Sequence, residues 1–286
     1  MLNNDLQKTI KDFYNSLTKA EKRVSDYILL NQQEAIYMSI TDIADACGVG
    51  DTTVFRFCRS LGLNGFQEFR VLLAQSLSNT SSESNLTVNG EINTDDTLED
   101  VCSKVLSNNI SALNETFKKL EYDKIKDVVQ LIAKSKQIHF FGLGSSGVSA
   151  LEAKNKFLRI MPNVSCSLDS HMQAMSAKLL TNDDLAIAFS YSGSTKDIIE
   201  ITKNAKKSGT KIVCITHFKK SPLVRYADVV LLCGSNEGPL QGGAISSKIS
   251  QLFILDIVYN EYFRQNYEIC KRNKELTSNA ISSMLL

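Results

Sequence analysis

The chain lacks any run of about 18 consecutive apolar residues, the length a membrane-spanning helix requires, so no membrane span or membrane partner is expected. Its opening residues, MLNNDLQKTI, lack the charged stretch followed by an apolar one that marks a secretory signal, which points to the cytoplasm. The seven cysteines never fall in a C-x-x-C pair. An odd, scattered set fits reduced thiols better than disulfides or a zinc site, so no metal site is expected. Cys47, Cys58 and Cys214 lie in apolar patterns and read as core fillers. Net charge is almost absent too, at a formal +1, so overall charge names no partner. What the chain does have is 286 residues and 43% hydrophobic content, enough for about two domains with real cores.

Residues 1–76 read as one all-α domain. Leu6, Ile10, Phe13 and Leu17 recur at helical spacing. Thr18 and Glu21 form a capping-box pair that starts a second helix, with Val24, Tyr27, Ile28 and Asn31 along one side. Ser39 and Asp42 suggest another cap, followed by Ile40, Ile43, Ala44 and Cys47 on one stripe. Gly48-Val49-Gly50 is a turn signal, and Val54, Phe57, Cys58 and Leu61 repeat the helical spacing up to Gly62. A short helix, a glycine-containing turn and a second helix with matching apolar faces are what a helix-turn-helix needs. The second helix would show Thr52, Arg56 and Arg59 on its outer face, where arginines reach guanine edges or phosphates. Thr53, at the helix start, would bond a phosphate. The plain alternative is a helical hairpin with solvated arginines. Eight Lys/Arg against nine Asp/Glu in this stretch means DNA binding would rest on local charge placement.

Residues 77–96 are rich in Ser, Asn and Thr and read as a flexible linker, leaving 97–286 as the second domain. Thr97 and Asp100 cap a helix carrying Leu98, Cys102, Val105, Leu106, Leu113 and Phe117, and another runs from about Tyr122 to Lys134. From residue 138 strands and helices alternate. The strands are near-continuous apolar runs, as in a three-layer α/β domain with a parallel sheet of the flavodoxin or Rossmann kind. The last helix, Ile245 to Tyr262, is apolar almost all round and reads as buried, with a second subunit as one candidate cover.

The stretch 186–200, AIAFSYSGSTKDIIE, runs from a buried strand through a turn into the start of a helix. Its Ser190, Ser192, Ser194 and Thr195 add neutral donors, and Gly193 lets the backbone curl. Together with the unpaired amides of a helix N-terminus, they suit the phosphate of a small molecule. The bland alternative is a serine-rich loop without a ligand. A second such turn follows the first strand, where Gly142, Gly144 and Gly147 match the dinucleotide fingerprint and Asp169 lies 22 residues beyond. A dinucleotide site has no need of a second hydroxyl-rich turn, so no cofactor is expected.

The segment TDIADACGVGDTTVFRFCRSLGLNGFQEFR resembles the N-terminal helix-turn-helix of the RpiR family of bacterial transcription regulators. The runs FGLGSSGVSALEAKNKFLRI, DSHMQAMSA and SYSGSTKDIIE resemble the sugar isomerase (SIS) domain that follows it there. The likeness covers about residues 1–75 and 105–265, in the same order. Gly50 departs from the pattern, since the turn usually carries serine there. The resemblance implies a homodimer or homotetramer that binds double-stranded operator DNA and answers to a phosphosugar, with an amino-sugar 6-phosphate as one candidate. It implies a regulator of sugar-metabolism genes, expected to be a repressor, and not an enzyme. It gives Ser190, Ser192 and Thr195 as phosphate contacts and Ser145 and Ser146 on the sugar phosphate. It further gives His171 and Glu237 at sugar hydroxyls and Lys248 against the phosphate charge. Each of these three has a plain alternative: a structural histidine and two solvated surface charges. The competing function is an aldose–ketose phosphate isomerase, for which His171 and Glu237 are suitable proton-transfer types.

Overall fold

The computed structural model describes residues 6–80, 92–234, 245–282 and 284. Its two compact units divide between Asn108 and Asn109.

The first unit is helical: α1 (Leu6–Phe13), α2 (Lys19–Leu30), α3 (Gln32–Ala35), α4 (Ile40–Ala46), α5 (Asp51–Ser60) and α6 (Phe66–Thr80). Both expected capping boxes are present. Thr18 accepts from the Glu21 amide at the start of α2, and Ser39 from the Asp42 amide at the start of α4. The stripes read from the sequence meet in one core, where Ile28, Ile43, Val54, Phe57, Cys58 and Phe69 are all buried. Gly48 (φ 60°) and Gly62 (φ 83°) take left-handed conformations that stop α4 and α5. Arg70 is buried, with its Nε donating to the Ile36 carbonyl at 2.9 Å, so this positive charge serves the fold.

Glu21 does more than cap. Its carboxylate accepts from the Thr18 hydroxyl (2.6 Å) and from the Ser60 hydroxyl (3.1 Å), which ties α2 to the end of α5. Desolvation pushes this carboxyl up, but the bonds from Thr18 and Ser60, with the Arg56 charge, outweigh it and hold the carboxyl below its ordinary 4.5. A depressed folded-state value gives stability that is present above the unfolded value and lost as pH falls through the folded one. The melting midpoint of this unit is therefore expected to drop as pH goes below 4.5, and Glu21→Gln to flatten that part of the profile. An unchanged acid slope in the variant, measured by circular dichroism, would contradict this.

α7 (Leu98–Lys118) begins at the expected Thr97–Asp100 pair, with the Asp100 amide donating to the Thr97 hydroxyl at 3.2 Å. Its buried residues are Ala112 and Thr116, while Leu98, Val105, Leu106, Ile110 and Phe117 are exposed.

The second unit continues with α8 (Tyr122–Lys134), β1 (Ile138–Gly142), α9 (Ser145–Leu158), β2 (Val164–Cys166), α10 (Ser170–Leu179) and β3 (Leu185–Phe189). It then runs through α11 (Lys196–Lys207), β4 (Lys211–Thr216), a short 3-10 turn (Leu223–Tyr226), β5 (Val229–Leu232), α12 (Ile245–Gln265) and α13 (Tyr267–Ser282). All strand pairs are parallel, in the order β2-β1-β3-β4-β5. β3 is buried at every residue, as its unbroken apolar run requires. One face carries Phe140, Phe157, Phe189, Ile254 and Val258, and the other Ala186, Ala188, Ile198, Ile201 and Leu223. Cys58 and Cys214 are core fillers whose burial pushes both thiols up to about 12.

Two expectations need correction. α12 is not the last helix among the described residues. α13 follows, docking through Cys270 and through Asn273, whose amide donates to the Ile160 carbonyl at 2.8 Å. Nor is α12 covered all round: Asp256 and Asn260 are exposed, and its buried side includes the polar Ser247, Ser250 and Gln251.

Candidate functional site

The strand order reverses between β1 and β3, and in such sheets the crevice outside the carboxyl ends of those two strands is where ligands sit. Both serine-rich turns leave the sheet there, one after Gly142 and one after Phe189. They line a single cavity of ≈ 160 Å³ formed by Leu143, Ser145, Ser146, Phe189, Ser190, Tyr191, Ser192, Thr195 and Ile198.

The first turn is set by close backbone contact. A Cβ on Gly142 would lie 2.5 Å from the Ser146 carbonyl oxygen, so only glycine lets α9 start this close to the strand. Buried Gln173 locks the turn from α10: it accepts from the Gly142 amide (3.1 Å) and donates to the Gly142 and Ser167 carbonyls (2.8 Å each). Nothing in the local pattern singled out this glutamine. Asp169, the candidate ribose acid of the dinucleotide fingerprint, instead caps α10 by accepting from the Met172 amide at 2.9 Å.

The second turn is held by its own hydroxyls. Ser190 Oγ accepts from the Gly193 amide at 3.2 Å, and Ser192 Oγ from the Ser194 amide at 3.3 Å. Thr216 Oγ1 donates to the Tyr191 carbonyl at 3.1 Å. Gly193 has φ 58°, and Ser221 packs directly against it.

The helix starts carry the electrostatics. α2, α4 and α10 are capped by their own side chains, but α9 and α11 are not: Gly144 has no side chain to offer, and Thr195 makes no capping bond. Two helix N-termini with open amides thus begin at the residues lining one cavity, and the Ser145 hydroxyl is buried there without a partner among the described residues. Among the described lining residues there is no carboxylate, imidazole or ammonium. A lining of neutral hydroxyls and helix-start amides can hold an anion through dipoles alone.

Of the residues expected at the site, Ser145, Ser146, Ser190, Ser192 and Thr195 line the cavity, and Gly193 shapes its turn. His171 is exposed in the first turn of α10, and Lys248 is half-buried in the first turn of α12; neither is among the lining residues. Glu237 lies outside the described residues.

In the first unit, Thr52, Arg56 and Arg59 stand exposed on α5 and Thr53 is half-buried. Arg56 Nε rests on the Thr52 carbonyl at 3.4 Å, and Arg59 Nη1 on the Leu63 carbonyl at 3.3 Å. Gly50 starts α5 with an extended backbone and no side-chain cap.

Comparison with known proteins agrees with both units. Residues 4–80 match the helix-turn-helix domain of the rpiR family, and residues 131–260 match the SIS domain. An HTH-type transcriptional regulator of Haemophilus influenzae is 37% identical over 272 residues, spanning 95% of this chain and 94% of its own length. The HTH-type transcriptional regulator HexR of Pseudomonas aeruginosa is 35% identical over 254 residues, spanning 89% and 87%. Among solved structures, the Vibrio vulnificus NanR protein complexed with ManNAc-6P superposes with a TM-score of 0.85 at 27% identity, over 98% of this chain and 99% of that one.

Proposed function

Since the chain belongs to the RpiR family of helix-turn-helix transcriptional regulators that carry a SIS domain, we propose that it is a repressor of sugar-metabolism genes whose hold on its operator is released by a phosphosugar. α5 enters the major groove, with Arg56 and Arg59 reaching bases or phosphates and Thr52 and Thr53 at the backbone. The effector's phosphate sits among Ser190, Ser192 and Thr195, against the amides that open α11, and Ser145 and Ser146 bond the sugar-phosphate portion. A dianion held this way pays no desolvation of a partner cation and gains from two helix dipoles. The NanR relative carries ManNAc-6P, so an amino-sugar 6-phosphate is the first class to test. His171 and Glu237 are assigned to the sugar hydroxyls and Lys248 to the phosphate charge, from family likeness.

The working form is a homodimer or homotetramer in the cytoplasm. Support comes from α7, whose Leu98, Val105, Leu106 and Ile110 are exposed in the single chain, and from the paired half-sites such readers use. Release requires that the sugar bind the DNA-competent arrangement more weakly than the other.

The observation that carries this reading is the pair of uncapped helix starts facing one hydroxyl-lined cavity, in a chain that also bears a helix-turn-helix. A thermal-shift panel of sugar phosphates, amino-sugar 6-phosphates included, tests it against the same sugars without phosphate. The expected result is a raised melting point with one phosphorylated sugar and none with its dephosphorylated form. Brisk turnover of a sugar phosphate by the purified protein would favour the isomerase reading instead.

A further inference from the structure

The buried polar side of α12 has a use that its place in a hydrophobic core does not explain. Gln251 is 1% exposed, and its Nε2 donates to the Ser146 hydroxyl, a cavity-lining group, at 3.2 Å. Its Oε1 is buried and has no partner among the described residues. A buried, unsatisfied carbonyl is costly and asks for an explanation. The amide has two ways to meet Ser146. With Nε2 donating, the Ser146 hydrogen is left for an anion in the cavity; with Oε1 accepting, that hydrogen is used up. Occupancy by a phosphate-bearing ligand selects the first.

The adjacent residue reaches the other way. Ser250 is fully buried, and its hydroxyl bonds the Gly234 carbonyl, two residues past β5, and approaches the Ala112 carbonyl of α7 at 3.4 Å. Gly234 in turn donates its amide to Thr116 Oγ1 of α7 at 2.9 Å. There is no slack at this junction: a Cβ on Gly234 would lie 2.4 Å from Glu115 Cβ and 2.6 Å from the Thr116 nitrogen. A close-packed contact of this kind passes a small displacement on and does not absorb it. α7 is also the helix by which the chain runs from the helix-turn-helix unit into the sheet unit.

We propose that Gln251 and Ser250 are a two-armed relay on α12, in which Gln251 follows the state of Ser146 in the cavity and Ser250 hands it to α7 at the Gly234–Thr116 junction. The proposal rests on the phosphosugar reading of the cavity. Gln251 is a positioning residue here, acting through Ser146.

Hydrogen exchange on the full chain tests it, with N-acetylmannosamine 6-phosphate and inorganic phosphate as parallel probes. In the wild type, at least one probe is expected to slow exchange across 190–199 and to alter it across 112–119. Gln251→Leu, which keeps size and drops both polar atoms, is expected to retain the first effect and lose the second. Ser250→Ala, a smaller change, carries the same expectation should Gln251→Leu misfold. A merely structural role would move both regions together. If both variants keep the response at 112–119, or the wild type shows none there while 190–199 is protected, the relay is wrong and the cavity reading stands. If neither probe slows exchange at 190–199 in the wild type, the cavity reading falls and takes the relay with it.

Discussion

Gly193→Ala is expected to cost the protein its sugar-phosphate response. The residue sits at φ 58°, a conformation that L side chains rarely adopt. An added methyl would stand 2.1 Å from Ser221 Oγ and 2.6 Å from Ser221 Cβ, inside any tolerable contact, and a tight 3.1 Å from Thr216 Oγ1. Backbone strain of this kind alone is worth about 1–3 kcal/mol, or roughly 5- to 150-fold in affinity if the turn must regain its shape to bind. The clash adds to that, because rotating the Ser221 hydroxyl leaves its Cβ 2.6 Å from the added methyl. Calorimetric titration with the sugar phosphate that stabilises the wild type measures the loss, and operator binding without sugar serves as the internal control. Adding Ser221→Gly removes both short contacts but leaves the strain, so the double variant should recover part of the affinity. Unaltered affinity in Gly193→Ala would mean the 190–195 turn is not where the ligand sits.

Arg56→Ala should weaken specific operator binding by about 1–3 kcal/mol, roughly 5- to 150-fold, if the guanidinium reads a base edge. The side chain is exposed, with its hydrogen bond on its own helix and only a charge interaction with Glu21 beyond it, so its removal should leave the melting point at neutral pH close to wild type. Arg59→Ala, if its contact is to phosphate, should weaken specific and non-specific DNA about equally and make the salt dependence shallower. The first unit carries nearly balanced charge, and Arg70 is buried on the Ile36 carbonyl, so the load falls on where the remaining cations are placed. Gel shift on operator and scrambled DNA at two salt concentrations separates the two roles. An Arg56→Ala protein that holds operator as tightly as wild type would take that residue out of the readout.

What the sequence disclosed follows from how locally each feature is encoded. The Thr18–Glu21 and Ser39–Asp42 caps are four-residue devices and read directly. So do β1, β3, β4 and β5, whose apolar runs mark buried strands, whereas β2 is only Val164–Cys166 and its signal is weak. The two hydroxyl turns were visible because they follow those strands. The parts that stayed hidden depend on contacts distant in sequence. Gln173 looks like any helical glutamine until α10 brings it against Gly142, 31 residues away. Ser250 and Gln251 were submerged in a helix that reads as apolar. α13 buries only Cys270, so its periodic signal is faint. The apolar side chains of α7 are legible as a helix stripe, but hydrophobic spacing says only that a face needs cover, and Leu98, Val105, Leu106 and Phe117 are exposed. His171 and Lys248 came from family likeness alone, and in this chain they stand outside the cavity lining.

The central claim is that a cavity of neutral hydroxyls and helix amides senses a phosphorylated sugar on behalf of a DNA reader. The direct test is the anisotropy of a labelled operator fragment bound to the full chain, titrated with a stabilising sugar phosphate and, separately, with the same sugar lacking phosphate. Release by the phosphorylated sugar alone, abolished in Ser192→Ala/Thr195→Val, is the predicted result. Equal release by both sugars, or release that persists in that double variant, would contradict it.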